Sequence, residues 1–382
     1  MADVQSTWET PEITEVRKTI RRFLVEEVVP RDEEFRRNHC IDRAVWTKAA
    51  DLGLIGMSIP EKFGGLGLDF LYEVAFIEEQ TRLCNTSFPF VPGALNAPAF
   101  FIETATEEQA RLWGPRIVSG EAIISVGITE PGIGSDVKAL RTKARREGDR
   151  YIINGTKTFM TLGRTSDICL VAARTGGEGA KGISLLLVEK AKAPGFKVSK
   201  VLEKVGQDGL DTCEVFLDDV EVPVENLVGG EEGRGFGQLM DVFNRERLSI
   251  AVRSVVAAET AVKLTVEHAR DREMFGQTLW DFQNSRMVLA ECATEARVMR
   301  VFIDDILLRM SKGEQLSPND AVMAKWWCSE KQCEIVDRCL QLFGGYGYMA
   351  EYPIAQLYKD ARVEKIYGGS NEVLKELVAR RL

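Results

Sequence analysis

Histidine is almost missing from this chain: His39 and His268 are the only two in 382 residues. A histidine-centred triad or a histidine-rich metal centre is thereby nearly excluded. Acid–base chemistry falls to carboxylates, lysine, tyrosine or a cofactor. No Cys-x-x-Cys pair occurs, and the eight cysteines are scattered; Cys328, Cys333 and Cys339 fall in a helical segment at intervals of five and six. Such spacing reads as reduced thiols of a cytosolic protein, not as a metal site. No apolar run approaches the roughly 20 residues of a membrane span. The stretch Met1–Glu9 is acidic and polar, unlike a signal or transit peptide, so a cytoplasmic protein is expected. Positive charge is in deficit: the net charge of −9 argues against non-specific nucleic-acid binding. It leaves room for a local cationic site for a phosphorylated small molecule. No Gly-Lys-Ser/Thr follows a glycine-rich run, so there is no P-loop. Gly345–Ala350 spells Gly-x-Gly-x-x-Ala, but it follows a helix with no βαβ unit around it and is not a dinucleotide loop.

With 45% hydrophobic and 28% charged residues, the chain reads as a globular protein of two or three domains with a substantial core. Three textures follow one another. Residues 1–122 are helical, with periodic stretches at Glu12–Val29, Arg43–Gly53, Leu71–Arg82 and Glu107–Val118. Residues 123–230 turn strand-like. Arg150–Met160 reads as a hairpin about Asn154-Gly155, and Ile168–Ala173, Ile183–Glu189, Phe196–Lys200 and Cys213–Val222 as further strands. An antiparallel sheet or small barrel is expected there. Residues 231–382 are helical again in long runs, at 236–271, 280–312, 317–345 and 353–367, which fits a bundle. The absence of βαβ alternation excludes a doubly wound fold.

Within the first long run of the last region, Leu239, Phe243, Glu246 and Ile250 share one helical face. A carboxylate in an apolar stripe is either a partnered core charge or a group kept for chemistry. In the middle region, Ile128–Asp136 follows a strand. Its small residues, hydroxyls and free N–H groups form a concave turn suited to a phosphate or a flavin edge.

Thr129–Asp136, Lys157–Thr161, Arg272–Gly276, Gln341–Gly347 and Asp360–Glu372, in this order and spacing, resemble the acyl-CoA dehydrogenase family. The resemblance covers nearly the whole chain. It implies a mainly α fold: an N-terminal helical domain, a middle antiparallel β-barrel-like domain and a C-terminal four-helix bundle. It implies FAD as cofactor, a homotetramer (a dimer of dimers) and an electron-transfer flavoprotein as electron acceptor. By the same resemblance Ile128, Thr129, Gly134, Ser135, Phe159 and Thr161 contact FAD from the middle domain. Arg272, Phe275, Gln341 and Gly345 grip FAD from a neighbouring subunit, Gln283 is another polar FAD contact, and Ser370 and Glu372 lie near its AMP half. An arginine suits the pyrophosphate because its planar fork pairs with phosphate oxygens. Ser135, Phe243, Asn244, Arg247 and Tyr367 are the substrate-binding candidates, Arg247 toward CoA; Asn244 stands where an Asp is common.

Many members of the family carry the catalytic Glu directly after the Ile-Tyr of the C-terminal loop, where this chain has Gly368. A second branch, resembling the long-chain and isovaleryl enzymes, places it on the first long C-terminal helix, and Arg245-Glu246-Arg247-Leu248 matches that position. The expected reaction is α,β-dehydrogenation of an acyl-CoA thioester to the trans-2-enoyl-CoA. Glu246 would take the α-proton, flavin N5 the β-hydride, and the Gly368 N–H would help to stabilise the carbonyl oxygen. A medium-to-long or methyl-branched acyl group is expected, its depth depending on residues such as Phe88–Pro92. The alternatives are a flavin oxidase or monooxygenase of the same fold, and a non-redox acyl-CoA-binding member.

Overall fold

The computed structural model describes residues 6–382; the first five residues of the acidic N-terminal stretch lie outside them. Helix α1 (Pro11–Phe23) starts where the Thr10 hydroxyl accepts the Ile13 N–H, with Pro11 at its first position. The sequence pattern ends this helix before Pro30. In fact a π-turn (Leu24–Val28) and a 3₁₀ turn (Val29–Arg31) lead through the proline into α2 (Asp32–Asn38): Pro30 stands in the first turn of the 3₁₀ segment, where its missing N–H is not needed, and Leu24 and Val28 stay buried. Then come α3 (Arg43–Asp51), α4 (Phe70–Arg82), a π-turn (Phe90–Asn96) leading into α5 (Ala97–Thr104), and α6 (Glu107–Val118). Helix α6 begins with a full capping box, Thr106 and Gln109 bonding each other's backbone N–H.

The middle region is one curled sheet of β1 (Ile124–Gly127), β2 (Lys143–Glu147), β3 (Arg150–Thr161), β4 (Ile168–Arg174), β5 (Ile183–Glu189), β6 (Phe196–Val201) and β7 (Thr212–Pro223). Its order is β1-β4-β2-β3-β7-β6, with β5 also against β4. Two sequence expectations are corrected here. The sheet is mixed, since β4 runs parallel to both β1 and β2. The Asn154-Gly155 pair is no hairpin turn but a bulge within the continuous strand β3. Asn154 bonds the Asp219 side chain and N–H on β7, and a Cβ at Gly155 would collide with Thr142, just before β2. The chain turns instead at Gly148, one residue before Asp149.

The last region opens with α7 (Gly235–Asp271), 37 residues long. A two-stranded ribbon, β8 (Glu273–Met274) and β9 (Gln277–Thr278), leads to α8 (Gln283–Ser311) and α9 (Pro318–Phe343). Helices α10 (Pro353–Glu364) and α11 (Asn371–Ala379) complete it. The main core runs from the N-terminal helices into the bundle, through Val74, Leu248, Val255, Ile303 and Val336. A second core joins α5, α6 and the sheet to the start of α7 through Leu239 and Val242. Glu246 therefore lies where one helix passes from the sheet into the bundle. No helix among the described residues is long and apolar enough to cross a membrane.

Candidate active site

The site is built where the loop between α10 and α11 folds over α7. Gly368 and Gly369 take φ of +64° and +91°, a left-handed pair that glycine adopts without strain. Ser370 then caps α11, its hydroxyl accepting the Val373 N–H at 3.5 Å. Beneath the loop Lys325 of α9 is fully buried, and its Nζ donates to the Gly369 carbonyl (2.7 Å) and to Asn371 Oδ1 (3.1 Å). Arg247 holds the other side, its Nε donating to the Gly368 carbonyl at 3.3 Å and Nη1 to Asn244 Oδ1 at 3.4 Å. The guanidinium lies 5.5 Å from the Phe243 ring centre.

This loop brings Gly368 to Glu246. A Cβ at Gly368 would stand 4.0 Å from the Glu246 carboxyl carbon and 2.6 Å from Ile250 Cδ1. A carboxylate grown from either position would thus serve the same volume. Glu246 is half-buried, and among the described residues no hydrogen bond or ion pair holds it. Burial pushes its pKa up, and Arg247 and Lys325 pull it back only in part. A partnered structural carboxylate shows the opposite: Glu78, wrapped by Arg300, Arg17 and Arg82, is held down at about 2 despite its burial. The N–H groups of Ile366 and Tyr367 both donate to the Val363 carbonyl, at 2.8 and 3.1 Å. That of Gly368 donates to no acceptor among the described residues, so it is available to a ligand.

The middle-region candidates cluster at the end of β1. Ile128 and Thr129 are half-buried, and Gly134 and Ser135 are exposed in the turn that follows. The turn is fixed from below by a buried pair missed in the sequence. Lys157 Nζ donates to Glu130 (2.8 Å) and to the Ile128 carbonyl (3.0 Å). Burial drives Lys157 down to about 8. Burial also opposes the charge on Glu130, but Lys157 and the Thr142 N–H outweigh it and hold its pKa below the usual range. The Thr158 N–H bonds the Thr129 carbonyl at 2.9 Å, which sets Phe159 beside the turn. Phe159 is 67% exposed at φ +55°, and Thr161 is half-buried. An exposed aromatic in a left-handed conformation is what a planar ligand, not a core, requires.

A second cluster lies at the far end of the bundle. Arg272, Gln341 and Gly345 line a cavity of about 580 Å³ with His268, Phe343 and Tyr346. Phe275, on the β8–β9 ribbon, is 91% exposed, and Gln283 begins α8. Gly344 and Gly345 have no neighbour where a Cβ would stand, so backbone there can be approached closely. The structure does not bring this cluster to the β1 turn of the same chain in any contact it shows. The sites suit a dinucleotide: an arginine and free backbone for phosphate, open glycines, and exposed aromatic rings. Glu372 is exposed in the first turn of α11. Tyr367 accepts hydrogen bonds from Arg253 (3.1 Å) and Gln207 (3.3 Å). Phe88 and Phe90 are buried in the N-terminal core. Phe90 stacks on Phe76 at 3.7 Å and Phe88 on Trp46 at 5.5 Å.

Fold and site together define a flavoprotein oxidoreductase built as helices, sheet and bundle. Sequence models of the acyl-CoA dehydrogenase N-terminal, middle and C-terminal domains match residues 10–121, 125–220 and 233–382, and the chain belongs to this FAD-dependent family. It is 41% identical to a mitochondrial long-chain specific acyl-CoA dehydrogenase of Rattus norvegicus, over 96% of this chain and 85% of that one. It is 36% identical to a mitochondrial isobutyryl-CoA dehydrogenase of Dictyostelium discoideum, over 94% and 86%. The crystal structure of an acyl-CoA dehydrogenase from Geobacillus kaustophilus superposes with a TM-score of 0.93 at 37% identity, covering 99% of both chains. A structure titled for the electron transferring flavoprotein of Acidaminococcus fermentans matches with a TM-score of 0.89 at 31% identity, over 98% of each.

Proposed function

We propose that this acyl-CoA dehydrogenase uses Glu246 as the base that removes the α-proton of the acyl thioester. The observation that carries the reading is the approach of the Gly368 backbone to the unpaired Glu246 carboxylate. An α-C–H next to a thioester is a weak acid, so a base alone is too slow. Charge must be stabilised on the carbonyl oxygen as the proton leaves. The Gly368 N–H supplies that donor, and its use of backbone alone explains why a glycine suffices. Arg247 and Lys325 hold the loop so that the N–H stays aimed. FAD, when bound, supplies the acceptor for the β-hydride, and Ile128, Thr129, Gly134, Ser135, Phe159 and Thr161 are the residues we assign to its ring and pyrophosphate. Arg272, Phe275, Gln283, Gln341 and Gly345 form an outward-facing cluster suited to a cofactor held by a second copy. That supports a tetramer made of dimers. Ser370 and Glu372 would face the AMP half; Ser135, Phe243, Asn244, Arg247 and Tyr367 would border the substrate. An electron-transfer flavoprotein is the electron acceptor in this reading. All eight cysteines are free, which supports a reducing compartment, the cytoplasm in our assignment.

The test is anaerobic bleaching of the flavin by acyl-CoA thioesters. Glu246→Gln is expected to bind them normally and bleach at least about a hundredfold more slowly, the scale of a lost general base. Near-wild-type bleaching would defeat the assignment. Rapid reoxidation of the reduced flavin by air would favour an oxidase instead, and binding without any bleaching a non-redox role.

A further inference from the structure

The face of α7 that carries Glu246 continues inward through Ile250, Arg253 and Ala257. The opposite direction, through Phe243 and Leu239, leads into the core packed against the sheet. Ile250 is 2% exposed and flanks Gly368. One turn further, Arg253 Nη1 donates both to Glu364 Oε1 (3.2 Å) and to the Tyr367 hydroxyl (3.1 Å). Arg253 thus ties α7 to α10 and to the residue that precedes Gly368. Behind it lies a cavity of only about 20 Å³, lined by Thr81, Asn85, Gln332, Asp360 and Glu364 among others. It has room for one water and is polar. Among the described residues, Gln332 Oε1 and Glu364 Oε2 are buried there without a hydrogen-bond partner.

From this arrangement we infer that the acyl chain runs along this face toward Arg253, that Arg253, Glu364 and Tyr367 close its path with a charged wall, and that the substrate carries a medium-length or methyl-branched acyl group of no more than about eight carbons. The inference rests on the dehydrogenase reading above and narrows its medium-to-long expectation to the short end. Seven residues separate Glu246 from Arg253, about 10 Å along the helix, which is the reach of roughly eight chain carbons. The arginine side chain takes up part of that distance. A longer chain would have to press methylenes against a desolvated ion pair or displace it, and a displaced buried charge is costly. Nor does the wall suit a dicarboxylic acyl group, since the charge of Arg253 is already met by Glu364, which would repel a second carboxylate.

The full-length holoenzyme should be assayed anaerobically with butyryl-, isobutyryl-, hexanoyl-, dodecanoyl-, palmitoyl- and glutaryl-CoA. Bleaching kcat/KM is expected to rise about fourfold per added methylene up to six to eight carbons. It should then fall, with palmitoyl-CoA at least tenfold below hexanoyl-CoA. The double variant Arg253→Leu/Glu364→Leu removes both charges together and should raise the dodecanoyl-to-hexanoyl ratio at least tenfold. Palmitoyl-CoA equal to or better than hexanoyl-CoA, a preference for glutaryl-CoA, or an unchanged ratio in a folded double variant would overturn the inference. Should the double variant not fold, the wild-type profile decides. Bleaching by no thioester at all would sink the dehydrogenase reading. Tighter hexanoyl- than palmitoyl-CoA binding, followed by the flavin spectrum, would still support the closed channel, and the reverse order would refute it.

Discussion

Lys325 and Glu246 stand on different helices yet act on each other's charge. Burial brings the Lys325 ammonium down to about 8 against the pull of Glu364 and Glu246. In return Lys325 holds the Glu246 pKa lower than burial alone would set it. As the proposed base, Glu246 acts only when ionised, so bleaching should rise with pH through its pKa, which burial places above the usual carboxylate value of about 4.3. Lys325→Met removes the neighbouring cation. The Glu246 pKa then rises further, and the acid limb of the pH–rate profile moves to higher pH. The loss should be largest on the acid side of neutrality and should shrink as pH is raised, because enough base is recovered. Stopped-flow bleaching across pH separates this from a purely structural role, which would lower the rate equally at every pH.

The loop between α10 and α11 is the element on which the site depends. Two successive left-handed residues turn the chain so that Gly368 passes beside Glu246 while its carbonyl accepts from Arg247. Alanine at 368 keeps the N–H but not the conformation. Its Cβ would meet Ile250 Cδ1 at 2.6 Å, and a left-handed alanine costs about 1–2 kcal/mol. Gly368→Ala should therefore lower the bleaching rate about ten- to a hundredfold by misaiming the donor, somewhat less than outright loss of one. The melting temperature should change little, and unaltered bleaching would remove the loop from the mechanism. In the sequence Glu246 is readable as a charge in an apolar stripe, and Gly368 as the place where many relatives carry their glutamate. The pairing of the two positions came from the family pattern. Lys325, Arg253 and Glu364 gave no local signal: each is a charge on an amphipathic helix, and Arg253 and Glu364 lie 111 positions apart until α7 and α10 pack. Asn154-Gly155 misled for the same reason, since the partner that turns it into a bulge, Asp219, is distant in the chain.

At the scale of the whole molecule, the N-terminal helices are bolted to the bundle through charge. Glu78 of α4 is fully buried and bonds Arg300 of α8 at 2.6 Å and Arg17 of α1 at 2.5 Å. Arg300 also pairs with Glu259 of α7 at 2.7 Å, so one guanidinium joins α4, α7 and α8. Such a cluster adds little over a well-packed apolar core, yet breaking it strands a buried charge, at roughly 3–5 kcal/mol. Arg300→Met should lower the melting temperature by several degrees and loosen α4 against α7, measurable as faster amide exchange in both. The acid response gives the sign. The depressed Glu78 pKa of about 2 contributes stability that is fully present above the unfolded-state value of about 4.3. That contribution is lost as pH falls through 2. In Arg300→Met the Glu78 pKa moves up toward its unfolded value, so less of the pH dependence between 5 and 2 remains. Urea unfolding at pH 7 and at pH 4 measures it: the variant should be the less stable protein at both, by a smaller margin at the lower pH. An equal margin at both would place the contribution of Arg300 in packing, with its charge of no consequence.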